Sequence, residues 1–117
     1  MGISIRPADK AFADHMKVKK KYCCERCGRQ YQKGDRGIQL SHFHGRRKES
    51  TRFDEDNCSV LCFYCHQWFH ENPQEHTLWM QKKLGMQSFN ALTIRANSYK
   101  KRDDKMILLY LQNISKI

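Results

Sequence analysis

The sequence predicts an α+β domain: a small, zinc-stapled strand–strand–helix core with a helical C-terminal extension. Three observations predict it. Two CxxC pairs, Cys24–Cys27 and Cys62–Cys65, have the spacing at which both thiolates of a pair reach one ion across a tight turn. Short apolar runs at Ile38–Leu40 and Cys58–Leu61 bracket a long polar loop and read as strands. Beyond Asn72 the chain carries Pro, Gly and acidic residues where helices start and stop.

Residues 1 to 21 are polar and basic, end in KVKKK (Lys17–Lys21), and read as a partly helical N-terminal arm whose lysines, Lys19 and Lys20 among them, suit phosphate contacts. Residues 22 to 72 form the core. Gly28 follows Cys27, where a knuckle turn needs positive φ, and Gly34 and Gly37 mark the turn into the first strand. A helix begins at Cys62 or Phe63 and ends before Asn72–Pro73. Residues 73 to 117 form the extension. Asn72 as cap, Pro73 at the first position and Glu75 at the third predict a capped helix to Leu84, closed by Gly85. Met86, Phe89, Leu92 and Ala96 share one helical face. A last helix opens near Arg102 with Asp103 and Asp104 at its positive end and carries Met106, Leu109, Tyr110 and Ile114 as an apolar stripe. These stripes are packing surface.

The 117 residues suit one domain with a modest core, so a bound metal supplies much of its stability. Lys and Arg total 22 against 12 Asp and Glu, a formal net charge of +10, which points to a polyanionic partner, nucleic acid before a membrane surface. The start MGISIRPADKAFADH has no apolar signal region, its sixth residue is Arg where myristoylation wants Ser or Thr, and no apolar run is long enough to span a bilayer. The expected setting is intracellular and reducing, with no membrane attachment, so the six cysteines read as metal ligands and free thiols.

Four thiolates, Cys24, Cys27, Cys62 and Cys65, make a closed zinc site with no open position, and so a structural Zn2+. Cys23 in place of Cys24 leaves three residues before Cys27. Cys23 and Cys58 are then free thiols, Cys58 buried on its strand. The remaining chemistry falls to other residues. His42 ends the first strand, Asn57 leads into the second, and His66 follows the last zinc ligand in the first turn of the helix. Strand end, strand start and helix start are expected to converge on one face.

The stretches SHFHGRR (Ser41–Arg47), FDEDN (Phe53–Asn57) and LCFYCH (Leu61–His66) resemble the HNH, or His-Me finger, endonucleases, and most closely the phage NinG-like and junction-resolving members with two CxxC pairs. The likeness covers roughly residues 22 to 112. It implies a treble-clef-like ββα-metal core and hydrolysis of DNA phosphodiester bonds, with His42 as general base, Asn57 orienting the loop that carries it, and His66 holding a catalytic Mg2+ or Mn2+. It also places the loop cations Arg46, Arg47, Lys48 and Arg52 against the DNA backbone. Many members carry Asp or His just before the base as a second metal ligand. Here that residue is Ser41, a poor ligand, which leaves His70, one turn after His66, or His44 as substitutes. His15 and His76 read as surface residues. No base-reading helix is evident, so recognition of backbone and shape is expected. The helical tail would supply the interface of a homodimer. The rival reading is a non-catalytic zinc-ribbon DNA-binding or adaptor protein, which has no need of His42, Asn57 and His66 together.

Overall fold

A computed structural model describes residues 5–98 and 104–115. The centre is a two-stranded antiparallel hairpin, β1 (Ile38–His42) and β2 (Cys58–Cys62), in the register Ile38↔Cys62, Leu40↔Val60, Ser41↔Ser59 and His42↔Cys58. Among the described residues five α-helices surround it: α1 (Pro7–Lys19), α2 (Phe63–Glu71), α3 (Pro73–Leu84), α4 (Met86–Ala96) and α5 (Asp104–Ser115). Helices α1 and α5 pack on one side, while α2 leads through α3 to α4 on the other. The architecture is therefore α+β. No described helix is long and apolar enough to cross a membrane.

Side chains alternate across a strand, so Ile38, Leu40 and His42 share one face of β1 and Gln39 and Ser41 the other. The first face meets α1, whose Phe12 and Met16 join Ile38, Leu40 and Val60 in the main core. Truncating Phe12 to Ala would cost about 3–5 kcal/mol. The expected solvated N-terminal arm is thus a helix that buries Ala8, Asp9, Phe12 and Met16. Lys10 and Lys19 stay exposed. A second, smaller core joins Met80, Phe89 and Leu92, with Phe43 and Trp79 against it.

Both predicted glycine turns form, with φ of 80° at Gly28 and at Gly85. The Asn72 capping box does not. Its side chain makes no cap bond to α3 and instead donates from Nδ2 to the Trp68 carbonyl at 2.8 Å, closing the end of α2. With one residue between the two helices, one side chain serves one end, and it serves the unfilled carbonyl. Arg102 and Asp103, expected to open the last helix, lie outside the described residues, as does the side chain of Ile114; Asp104 stands in the first turn of α5.

Candidate metal centre and histidine site

The knuckle Cys24–Cys27 and the start of α2 bring four sulfurs together. The ligand atoms of Cys24, Cys27, Cys62 and Cys65 all lie within 4.8 Å of one another, with 3.7 Å between the Cys27 and Cys62 Sγ atoms. Tetrahedral zinc with Zn–S bonds of about 2.3 Å puts sulfurs about 3.8 Å apart. The four cysteines therefore fit a metal ion such as zinc. Backbone N–H groups of Cys27 and Cys65 point at the Cys24 and Cys62 sulfurs, each at 3.5 Å. Arg26 donates to Cys65 Sγ at 3.4 Å while its guanidinium lies 4.1 Å from the Trp68 ring centroid. Burial opposes ionisation of Cys24, but the backbone donors of Cys27, Cys62 and Arg26 outweigh it and bring its thiol down to about 7. That favours the thiolate at Cys24, while burial pushes the Cys65 thiol up to about 12. Cys58 is fully buried and held protonated by desolvation, consistent with a free thiol.

Two further residues tie this centre to the helical layer. Glu25, inside the knuckle, accepts from the Val60 N–H at 2.6 Å. Lys83, from α3, pairs with Glu25 at 2.9 Å and donates to Cys58 O at 3.1 Å and Ser59 Oγ at 2.8 Å. Neither stood out in the sequence, because both partners are distant in the chain.

The loop between the strands, residues 43–57, is held by Asn57. Its side chain is fully buried. Oδ1 accepts the His44 N–H at 2.8 Å, and Nδ2 donates to the His44 carbonyl at 2.9 Å and the Thr51 carbonyl at 3.1 Å. One amide thus fixes the start and middle of the loop.

His42 lies at the end of β1 with Nε2 3.0 Å from the Arg52 carbonyl. A carbonyl only accepts, so Nε2 carries the proton and Nδ1 is left with a lone pair. Desolvation, helped by the Arg46 charge, lowers its pKa to about 4, so the ring is neutral at pH 7. His66, in the first turn of α2, places Nδ1 2.7 Å from Gln39 Oε1. With the amide oxygen accepting, Nδ1 is the donor and Nε2 is free to coordinate, the arrangement that usually backs a metal-bound imidazole. Desolvation and the neighbouring His70 and Arg46 lower its pKa too. Gln39 was missed from sequence, though its place between core-facing Ile38 and Leu40 marks it for the opposite face.

The two imidazoles do not share a face of the hairpin. His42 is on the α1 side, and His66 bonds to Gln39 on the α2 side. His42 ends β1 at the loop, while His66 bonds to Gln39, whose strand partner Leu61 adjoins Cys62; the charge of Arg46 depresses both. Among the described residues the four cysteines are the one group of three or more His, Cys, Asp or Glu ligand atoms that close together, so His66 and His70 do not form a ready three-ligand site. Ser41, at the expected second-ligand position, is buried. His44 is half-buried, with Nε2 enclosed and without a hydrogen-bond partner among the described residues.

Other expected site residues fare differently. Arg47 and Lys48 are exposed, with Lys48 Nζ 3.1 Å from Asn97 Oδ1. Arg52 is corrected: it is 3% exposed and gripped by Asp9, so its guanidinium is not presented to a backbone phosphate. Lys19 pairs with Glu55 and Lys20 with Glu25. His15 and His76 are not bare surface residues. His15 meets Glu55 at 3.2 Å, and His76 stacks on Phe69 at 4.4 Å and meets Phe43 edge-on. No family model, curated protein or solved structure matches the chain.

Proposed function

We propose that the protein is a metal-dependent HNH-type DNA endonuclease with a treble-clef-like ββα-metal core, a structural zinc at the four cysteines, and its chemistry carried by His42 at the end of β1 and His66 in the first turn of α2. The observation that carries this reading is the Asn57 clamp. It pins the loop that leaves the strand ending in His42 and returns as the strand leading into the helix that carries His66, each ring with one nitrogen committed to a hydrogen bond and the other left as an acceptor. A purely structural zinc module requires neither that clamp nor those two imidazoles.

In this reading the scissile phosphate lies over the end of the hairpin, between the two rings and beside Arg46. His42 Nδ1 accepts the proton of the attacking water, while Nε2–H stays on the Arg52 carbonyl. Attack at phosphorus breaks the bond to the 3′ oxygen, which takes a proton from solvent water, and leaves a 3′ hydroxyl and a 5′ phosphate; the proton on His42 Nδ1 returns to solvent. His66 Nε2, with His70 one turn on, would hold Mg2+ or Mn2+, which when bound supplies charge neutralisation at the phosphate and the departing oxygen. His66 and His70 are few ligands, so the site would depend on the DNA phosphate to hold the ion. Arg46, Arg47 and Lys48 would contact the backbone, and recognition is by shape.

A non-catalytic DNA-binding reading is favoured by one observation: Ser41 stands buried where a second metal ligand is expected. Plasmid nicking separates the two. With Mg2+ or Mn2+, the wild type should relax supercoiled DNA and His42→Ala should slow by ~10²–10⁴-fold, the usual worth of a general base, while still shifting DNA on a gel. Intact plasmid with every metal tried would favour the binding module. Equal cutting by both proteins would remove His42 from the base role.

A further inference from the structure

We propose that Asp9, on α1, is a positioning residue for His42, acting through Arg52. The inference rests on the reading of His42 as the base and extends the active site to a helix outside the strand–loop–strand–helix unit. Asp9 is 5% exposed and Arg52 3%. Their contact is bidentate: Arg52 Nε donates to Asp9 Oδ1 at 2.8 Å and Nη2 to Oδ2 at 2.5 Å. The same guanidinium donates from Nη1 to the Arg46 carbonyl at 3.3 Å, so it spans the loop as well as the helix. Asp9 is fixed in turn, since Oδ2 accepts the Arg6 N–H at 2.8 Å at the start of α1.

The backbone carbonyl of this clamped arginine is the group that accepts His42 Nε2–H. A two-point carboxylate–guanidinium fork fixes a plane as well as a distance. Its effect here is to hold the Arg52 peptide, which selects the ring nitrogen that bears the proton and aims the other one. No described residue hydrogen-bonds His42 Nδ1. The contact leaves that nitrogen as the acceptor a general base needs. Lysine at 52 would keep the charge and the carbonyl but lose the fork. Asparagine at 9 would keep the shape and lose the charge-assisted pair.

The test uses the full-length, zinc-loaded protein as wild type, Asp9→Asn and Arg52→Lys, each checked for zinc content and circular dichroism. The His42 tautomer is read at neutral pH from long-range 1H–15N correlations, and kcat and KM from plasmid nicking. Wild type should show the Nε2–H tautomer alone. A folded variant should show both tautomers, with kcat lower by on the order of 10–100-fold, as for groups that orient a reacting histidine, and KM unchanged. A folded variant that keeps the single tautomer and full kcat overturns the proposal. So does a wild type that already shows both tautomers, a result that needs no variant to fold. Absence of nicking by wild type would sink the nuclease reading, while the tautomers still decide whether Asp9 positions the ring.

Discussion

The two ends of the hairpin are fastened by different chemistry. At the Ile38–Cys62 end, four cysteines converge within 4.8 Å, and their ligand pairs are each three residues apart. At the His42–Cys58 end, the fastening is a buried ion pair between Asp9 and Arg52 and an asparagine clamp inside the loop. The first joins two CxxC pairs 35 positions apart through four sulfurs. The second joins α1 to the loop 43 positions on and leaves an imidazole nitrogen of His42 without a hydrogen-bond partner among the described residues. In the proposed reading the first end only holds and can use a saturated metal site, whereas the second reacts and must be held from behind.

Breaking the cysteine end should have the largest effect. Removing the metal with a chelator, or substituting Cys62→Ser, should abolish cooperative unfolding, because structural zinc contributes about 10–16 kcal/mol in small zinc-dependent folds. A sharp thermal transition surviving in the metal-free protein would contradict that division. Breaking the ion-paired end should be milder. Arg52→Ala leaves Asp9 buried with a lost partner and should cost about 3–5 kcal/mol, read as a lower urea midpoint with zinc retained. Loss of zinc in that variant would mean that the two ends are not independently fastened.

Acid sharpens the comparison further. His42 and His76 are both held near pKa 4 by burial, below the unfolded value of about 6.5. Between those values the unfolded chain takes up protons that the native rings do not, so stability is full above pH 6.5 and falls as pH drops toward 4. Urea midpoints across that window should decline, and a His42→Gln, His76→Gln double variant should decline less. The smallest effect on the fold should come from Arg47→Ala or Lys48→Ala at the exposed loop. If they touch phosphates, each should reduce the salt slope of DNA binding by about 1 and leave the urea midpoint within about 0.5 kcal/mol.

The same contrast explains what the sequence disclosed. The cysteine end was legible because its constraint is a short spacing. Both strands, α2, α3 and α4 emerged near their expected bounds because periodicity and Pro or Gly signals are local too. Asn57 was expected as the loop orienter from the resemblance of its stretch. Asp9 and Arg52 were not foreseen as partners, since nothing in either neighbourhood marks a pair 43 positions apart. Arg52 was misplaced among the phosphate contacts for that reason: in a run of cations, one destined for burial looks like its neighbours. The basic N-terminal segment was misread in the same way. Its lysines dominate the composition, while Phe12 and Met16 decide where it packs. His42 and His66 were expected on one face because strand alternation was not carried to the end of β1.

The division of labour is tested most directly by X-ray absorption at the zinc edge, on wild type and on His42→Ala, His66→Ala and His70→Ala. The account predicts one zinc per chain with four sulfur neighbours at about 2.3 Å, unchanged in all three variants. A nitrogen or oxygen in the first shell, a spectrum altered by any of the histidine substitutions, or substoichiometric zinc in a folded protein would contradict it.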